Sequence, residues 1–60
     1  MRDYKWYNVY YLTIDGTEIC ERRLAYDEED AKKRTNKFHV TELNFYKVLR
    51  AEPIILEEHK

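Results

Sequence analysis

The sequence contains very little cysteine, glycine or proline, with one residue of each in 60. Because Cys20 is alone, it cannot form a disulfide within the chain, and a single free cysteine favours a reducing compartment. His39 and His59 are too far apart for the paired spacing of a structural metal site, so we expect neither a metal nor a cofactor. A chain this short buries only about 60% of the surface that it exposes when unfolded. Good packing, a symmetric dimer or a bound partner must therefore stabilise it.

Neither sign of charge is in excess, since 11 Lys and Arg face 12 Asp and Glu for a formal net charge of −1. Long-range attraction to nucleic acid is weak at this balance. No apolar run approaches the roughly 18 residues that a bilayer span needs, and the first residues lack the apolar segment of a secretion signal. We expect a soluble, cytoplasmic protein without a membrane partner.

Aromatic side chains are plentiful, at 15% of the residues, and many of them lie in the first part of the chain. Residues 4–14 are rich in Tyr, Trp, Val, Ile and Thr, which are typical of a strand. Asp15-Gly16 offers positive-φ positions for a tight turn, and residues 17–25 supply a return strand. The pattern predicts a β-hairpin over about residues 4–25.

The register of this hairpin depends on the length of its loop. A two-residue turn pairs Tyr11 with Cys20, and it also pairs Leu12 with Ile19. A three-residue loop with a bulge instead pairs Tyr10 with Cys20 and Trp6 with Leu24. The sequence leaves both registers open.

A helix is predicted over about residues 28–39. Asp27 is suited to accept hydrogen bonds from the free amides of the first turn, and the acids after it favour the positive end of the helix dipole. Basic residues gather toward the other end, as the dipole prefers. The apolar stripe is thin, with Ala31, Thr35 and Phe38 at helical spacing, so we expect the helix to lie flat on a sheet.

Residues 43–50 predict a third strand, which Pro53 ends. The crossover from the second to the third strand is right-handed in nearly all proteins, which places the first strand in the centre. We therefore predict one α+β domain over residues 1–60, ββαβ in sequence, with a three-stranded antiparallel sheet of order 2-1-3 and one helix packed on one face. The tail, residues 53–60, adds a short edge strand at 54–56 or none.

The two faces of this sheet are both apolar. Alternation along the first strand sends Trp6, Tyr10 and Leu12 to one side, and Tyr7, Val9 and Tyr11 to the other. One helix covers one face, so an aromatic face is left over. Tyrosines also tolerate exposure in a small protein, which is the plainer interpretation.

Three functions are compatible with the uncovered face. The leading hypothesis is binding of another protein, because Trp, Tyr and Arg are enriched at the energetic centres of interfaces. The predicted contact residues are Trp6, Tyr7, Tyr11, Lys47 and Arg50. An alternative is a nucleic-acid-binding module, in which tyrosines stack on bases beside a basic set. That set consists of Arg22, Arg23, Lys33 and Lys37. A structural homodimer is the third possibility.

No set of residues predicts catalysis. The acids at 27–30 could bind a cation, but their position at a helix start already explains them. Cys20 and His39 could form a nucleophile and a base, but no third group is evident and a chain this short rarely encloses a substrate. We therefore predict a protein that is not an enzyme.

Three stretches of the sequence, residues 5–7, 25–31 and 46–53, carry a family resemblance. Their order resembles the small RNA-polymerase inhibitor of T-odd coliphages, a family of this length with a ββαβ fold, and similar ββαβ phage accessory proteins. The resemblance implies an accessory factor of a phage or mobile element that inhibits a host protein, with bacterial RNA polymerase as the first candidate. The family uses a basic pair on its last strand. Arg50 matches the first of that pair, and Glu52 occupies the second position.

Overall fold

The computed structural model describes residues 3–54. Within this part of the chain, the elements are β1 (Lys5–Thr13), β2 (Glu18–Ala25), α1 (Glu28–His39) and β3 (Phe45–Pro53). The strands form one sheet of order β2-β1-β3, and both pairings are antiparallel. The predicted ββαβ fold of the α+β class is confirmed. In the same residues, no helix has both the length and the apolar character that a membrane crossing requires.

The hairpin between β1 and β2 has the three-residue loop. Tyr10 pairs with Cys20, which excludes the register of a two-residue turn. The backbone NH of Gly16 donates to the carbonyl of Thr13 at 3.0 Å, and φ at Gly16 is 91°. A turn followed by one residue of positive φ is the usual construction of a three-residue loop, and glycine adopts that conformation without strain.

Side-chain capping determines where α1 begins. The backbone NH of Asp30 donates to Oδ1 of Asp27 at 2.8 Å, and the backbone NH of Tyr26 donates to Oδ2 of Asp30 at 3.0 Å. Two amides that the helix cannot satisfy are therefore bonded reciprocally. The acidic residues of the first turn stabilise this end of the helix further, because their negative charges lie at the positive end of the helix dipole.

β3 extends further than the predicted strand of residues 43–50. Pro53 pairs with Tyr7 and is the last strand residue. A proline is tolerated there because β3 lies at an edge of the sheet, where its missing NH breaks no ladder. The pairing with β1 also shifts twice, so that Tyr46 and Leu49 are extra residues on the β3 side. The possible strand at 54–56 lies outside the described residues, apart from Ile54.

The core lies between α1 and the sheet. It contains Tyr7, Val9, Ala25, Ala31 and Ala51, with Val48 packed against it. Small residues on both the sheet and the helix allow the two to approach closely, as the thin stripe of the helix predicted.

The predicted burial of Phe38 is wrong, because 62% of its surface is exposed and His39 is buried instead. The centre of the buried stripe is Thr35. At 100° per residue, Phe38 lies about 60° from Thr35 around the helix, whereas His39 lies about 40° from it. The smaller angle brings His39 under the helix.

Replacement of Thr35 by valine is expected to stabilise the protein. Thr35 is fully buried, and its hydroxyl has no hydrogen-bond partner within residues 3–54. Valine keeps the shape and removes the unsatisfied group, so the free energy of unfolding should rise by about 1 kcal/mol. Urea unfolding measures this change. Thr35→Ser is the control, because it keeps the hydroxyl and loses the methyl group, and it should be less stable than the natural chain. A valine variant no more stable than the natural chain would contradict the prediction.

Candidate binding surface

Alternation along β1 separates two faces of the sheet. Tyr7, Val9, Tyr11 and Thr13 are buried beneath α1. The residues between them point away from the helix, toward the side that no described element covers. We call this side the open face, and it consists of Trp6, Asn8, Tyr10 and Leu12 together with their cross-strand neighbours on β2 and β3.

The prediction that Tyr7 and Tyr11 contact a partner is wrong. Their exposed fractions are only 5% and 8%. The Tyr7 hydroxyl lies 3.5 Å from the carbonyl oxygen of Tyr26, and the Tyr11 ring packs against His39 and Phe45. Burial raises the pKa of the Tyr11 phenol, so this side chain stays neutral in the core. Both tyrosines belong to the covered face and have a structural role.

Trp6 and Leu24 form the apolar part of the open face. They are paired directly across β1 and β2, and their exposed fractions are 48% and 39%. Side chains at directly opposed positions are in contact, so the indole and the leucine make one continuous apolar area. Trp6 is therefore exposed, and its contact with a partner stays a prediction.

Arg50 and Tyr10 form the polar part of the open face. The guanidinium carbon of Arg50 lies 4.0 Å from the centre of the Tyr10 ring, a cation–π arrangement. Arg50 also lies 3.4 Å from a carboxylate oxygen of Glu18 and 3.3 Å from one of Glu52. Hydrogen bonding with Cys20 raises the pKa of Tyr10, which keeps its phenol protonated. The guanidinium thus lies over an aromatic ring and close to two carboxylates.

Lys47 is also on the open face, but far from Trp6. It pairs with Leu12, and its Nζ lies 5.6 Å from the centre of the Tyr46 ring. At about 3.3 Å per residue along β1, the positions of Trp6 and Lys47 are separated by about 20 Å. The structure therefore places three of the five predicted contact residues, Trp6, Lys47 and Arg50, on one face, in a line rather than a cluster.

A groove of about 580 Å³ runs beside the open face, along the outer side of β2. Its apolar lining is provided by Trp6, Leu24 and Phe38. Its other lining residues are four cations, Arg22, Arg23, Arg34 and Lys37. We call it the edge groove. Three members of the predicted basic set, Arg22, Arg23 and Lys37, come together there, whereas Lys33 does not line it.

Two of the four cations have carboxylate partners. Arg23 is ion-paired with Glu21, and Nε of Arg34 lies 2.7 Å from Oδ2 of Asp30. The Arg23 guanidinium also stacks 4.6 Å from the centre of the Phe38 ring, and its buried Nε has no hydrogen-bond partner within the described residues. Sequence analysis missed Arg34 and Phe38 as members of this groove, although the spacing of Arg34, Lys37 and Phe38 places them on one side of a helix.

His39 is the other residue that sequence analysis misplaced. Its Nδ1 lies 2.8 Å from a carboxylate oxygen of Glu42, and its Nε2 lies 3.1 Å from one of Glu21. The ring links the end of α1 to the covered face of β2. Cys20 lies on the open face, so the sheet separates it from His39 and the two do not form a nucleophile and base pair. Within residues 3–54, no group of three His, Cys, Asp or Glu is arranged to hold a metal.

Comparisons of the chain with protein-family models, with curated proteins and with solved structures give no match.

Proposed function

We propose that this chain is a small, non-enzymatic protein-binding protein whose contact surface is the open face. The observation that supports this proposal is the exposed Trp6–Leu24 pair on a sheet face that no described element covers. Trp, Tyr and Arg are the residues that contribute most at protein interfaces, and the open face presents Trp6, Tyr10 and two arginines, Arg22 and Arg50.

The contact of Arg50 with the Tyr10 ring favours recognition of a protein. A guanidinium that is already stacked on Tyr10 loses little conformational freedom on binding. Burial of a tryptophan side chain removes a large apolar area from water, and Trp6 contributes that area at the other end of the face. One apolar anchor and one oriented cation together specify both the position and the orientation of a partner.

The size of the open face sets a limit on this interface. Three strands of about nine residues cover an area on the order of 400 Å². A stable interface buries about 800 Å² on each partner. The contact therefore extends beyond the sheet face, over one of its edges.

The first partner to test is bacterial RNA polymerase, with inhibition in the cytoplasm of a bacterial host as the outcome. This choice is supported by the resemblance in three stretches of sequence and by the shared ββαβ order. Fold alone does not determine function, so the polymerase is a starting point and the protein-binding surface is the main proposal.

Site-specific photo-crosslinking tests the proposal. A benzophenone amino acid replaces Tyr10 on the open face, and the matched control carries it at Leu43, which is exposed outside the sheet. We expect illumination in bacterial lysate, and then with purified RNA polymerase, to join one protein to position 10 in stoichiometric amount and none to position 43. Equal labelling at both positions, or no labelled protein at either, would overturn the proposal.

A further inference from the structure

We propose that the edge groove binds an extended acidic segment of the partner protein, which adds to β2 as a fourth strand. This inference rests on the proposed protein-binding function and names the chemistry of the partner.

The lining residues place the groove at the edge of the sheet. Arg22, Arg23 and Leu24 are consecutive on β2, and all three line it. Consecutive strand residues point to opposite faces, so only a groove along the outer edge of the strand contacts all three. Among the strands that the structure describes, β2 has only β1 beside it, and the groove occupies its other side.

The ladder between β1 and β2 indicates which backbone groups face the groove. The NH of Thr13 donates to the carbonyl of Thr17 at 2.9 Å, so these two residues form a hydrogen-bonded pair. From this pair onward, hydrogen-bonded and non-hydrogen-bonded pairs of residues alternate along the antiparallel ladder. Counting along the register places Arg22 and Leu24 in non-bonded pairs with β1. Their NH and carbonyl groups therefore point outward into the groove, where an added strand would bond both.

The charges of the groove favour an acidic occupant. Among residues 3–54, four of the residues that line the groove are cations and none carries a carboxylate. Two of the cations already have partners, Arg23 with Glu21 and Arg34 with Asp30. Arg22 and Lys37 have none within residues 3–54. The groove thus offers two unpaired cations in a chain whose formal net charge is −1.

The two walls of the groove differ, which predicts a pattern in the occupant. The wall on the helix side carries Phe38 and three cations, Arg23, Arg34 and Lys37, and the wall on the open-face side carries Trp6, Leu24 and one cation, Arg22. Side chains of an added strand alternate between the two sides. We therefore expect mainly acidic residues toward the helix and, on the other side, apolar residues beside Trp6 with an acidic residue opposite Arg22.

A peptide fits this edge better than a nucleic acid does. The outward groups of Arg22 and Leu24 include carbonyl oxygens, which need donors. A peptide backbone offers donors and acceptors at the spacing of the ladder, whereas phosphates offer acceptors only. Two unpaired cations also suit one or two carboxylates, while binding of single strands commonly needs a longer basic track.

A second copy of this chain is a poor occupant. The β2 strand of a second copy carries Arg22 and Arg23 as well as Glu18 and Glu21, so it matches the cations of the groove less well than an acidic segment does.

Selection from a displayed library of random dodecapeptides tests the proposal. Binders are selected on the natural chain, on the double variant Arg22→Glu/Lys37→Glu, and on the control Lys32→Glu/Lys33→Glu, which changes net charge equally at two helix positions that neither line the groove nor lie on the open face. Circular dichroism checks that all three fold. We expect the natural chain and the control to enrich peptides that alternate acidic and apolar residues. The groove variant should bind those peptides at least about tenfold more weakly.

Hydrogen exchange provides the second measurement. The bound peptide should slow exchange of the Arg22 and Leu24 amides, which an added strand would bond directly. Enriched peptides without acidic residues, unchanged binding by the groove variant, or no enrichment would overturn the inference. So would displacement of the peptides by oligothymidylate with no protection of the two amides, which would instead indicate a nucleic-acid site. A partner crosslinked at position 10 that binds the groove variant normally would retain the proposed function and remove only this inference.

Discussion

Replacement of Tyr11 by alanine is expected to remove most of the stability of the protein. The ring is buried and lies 4.6 Å from His39 and 5.6 Å from Phe45, measured between ring centres. Truncation of a large buried aromatic side chain costs about 3–5 kcal/mol. A domain of this size has a free energy of unfolding of about 3–9 kcal/mol. The variant should therefore show poor dispersion of its amide NMR signals and a urea midpoint close to zero.

Two further variants make this result specific. Tyr11→Phe keeps the ring and should remain folded, since the Tyr11 hydroxyl makes no hydrogen bond with any other residue of the described range 3–54. Tyr46→Ala removes an exposed ring from β3 and should cost less than about 1 kcal/mol. Similar losses for Tyr11→Ala and Tyr46→Ala would show that Tyr11 is not part of the core.

Replacement of Trp6 by alanine is expected to weaken partner binding by at least about 2 kcal/mol, or roughly thirtyfold, and to leave the fold intact. The side chain contributes to both the open face and the edge groove. A partner that covers either surface must therefore contact it. Isothermal titration calorimetry with the partner protein that crosslinking identifies gives the affinity, and urea unfolding gives the free energy of unfolding.

The fluorescence of Trp6 and two further variants provide independent checks of this prediction. It is the only tryptophan in the chain, so its fluorescence should shift to shorter wavelength when a partner covers it. Trp6→Phe should retain part of the affinity, because a smaller ring still fills the site. Leu43→Ala removes an exposed apolar side chain away from the open face and should change nothing. Equal affinity of Trp6→Ala and the natural chain would exclude the open face as the contact surface.

The order of the elements was predictable because each has a local signal. Asp27 marks the start of the helix, Gly16 marks the hairpin loop, and alternating aromatic and β-branched residues mark the strands. These signals act over a few residues, and the right-handed crossover then determines the strand order.

The assignment of Tyr7 and Tyr11 to the binding surface failed for a physical reason. A period of two separates the residues of a strand into two sets, but it does not say which set the helix covers when both are apolar. The positions of Ala25 and Ala51 indicate which of the two sets the helix covers. Both lie on the side of Tyr7, and small residues there leave room for a helix to approach.

The edge groove was only partly predictable. Arg22 and Arg23 are adjacent in sequence, and their basic character was evident. Their proximity to Arg34 and Phe38 depends on how α1 crosses the sheet, which no local pattern determines. Sequence analysis therefore identified cations of the groove without identifying the groove.

The two edges of the sheet have unequal capacity to recruit another strand. The two bulges of β3 make the spacing of its outward NH and carbonyl groups irregular, and Pro53 has no NH to donate. The pairing of β2 with β1 has no register shift. A molecule with one edge that accepts a strand can pair with a strand of its partner, but it offers no second edge to which a further molecule could add. Complexes should therefore stop at one partner segment per chain, and open-ended fibres should not grow.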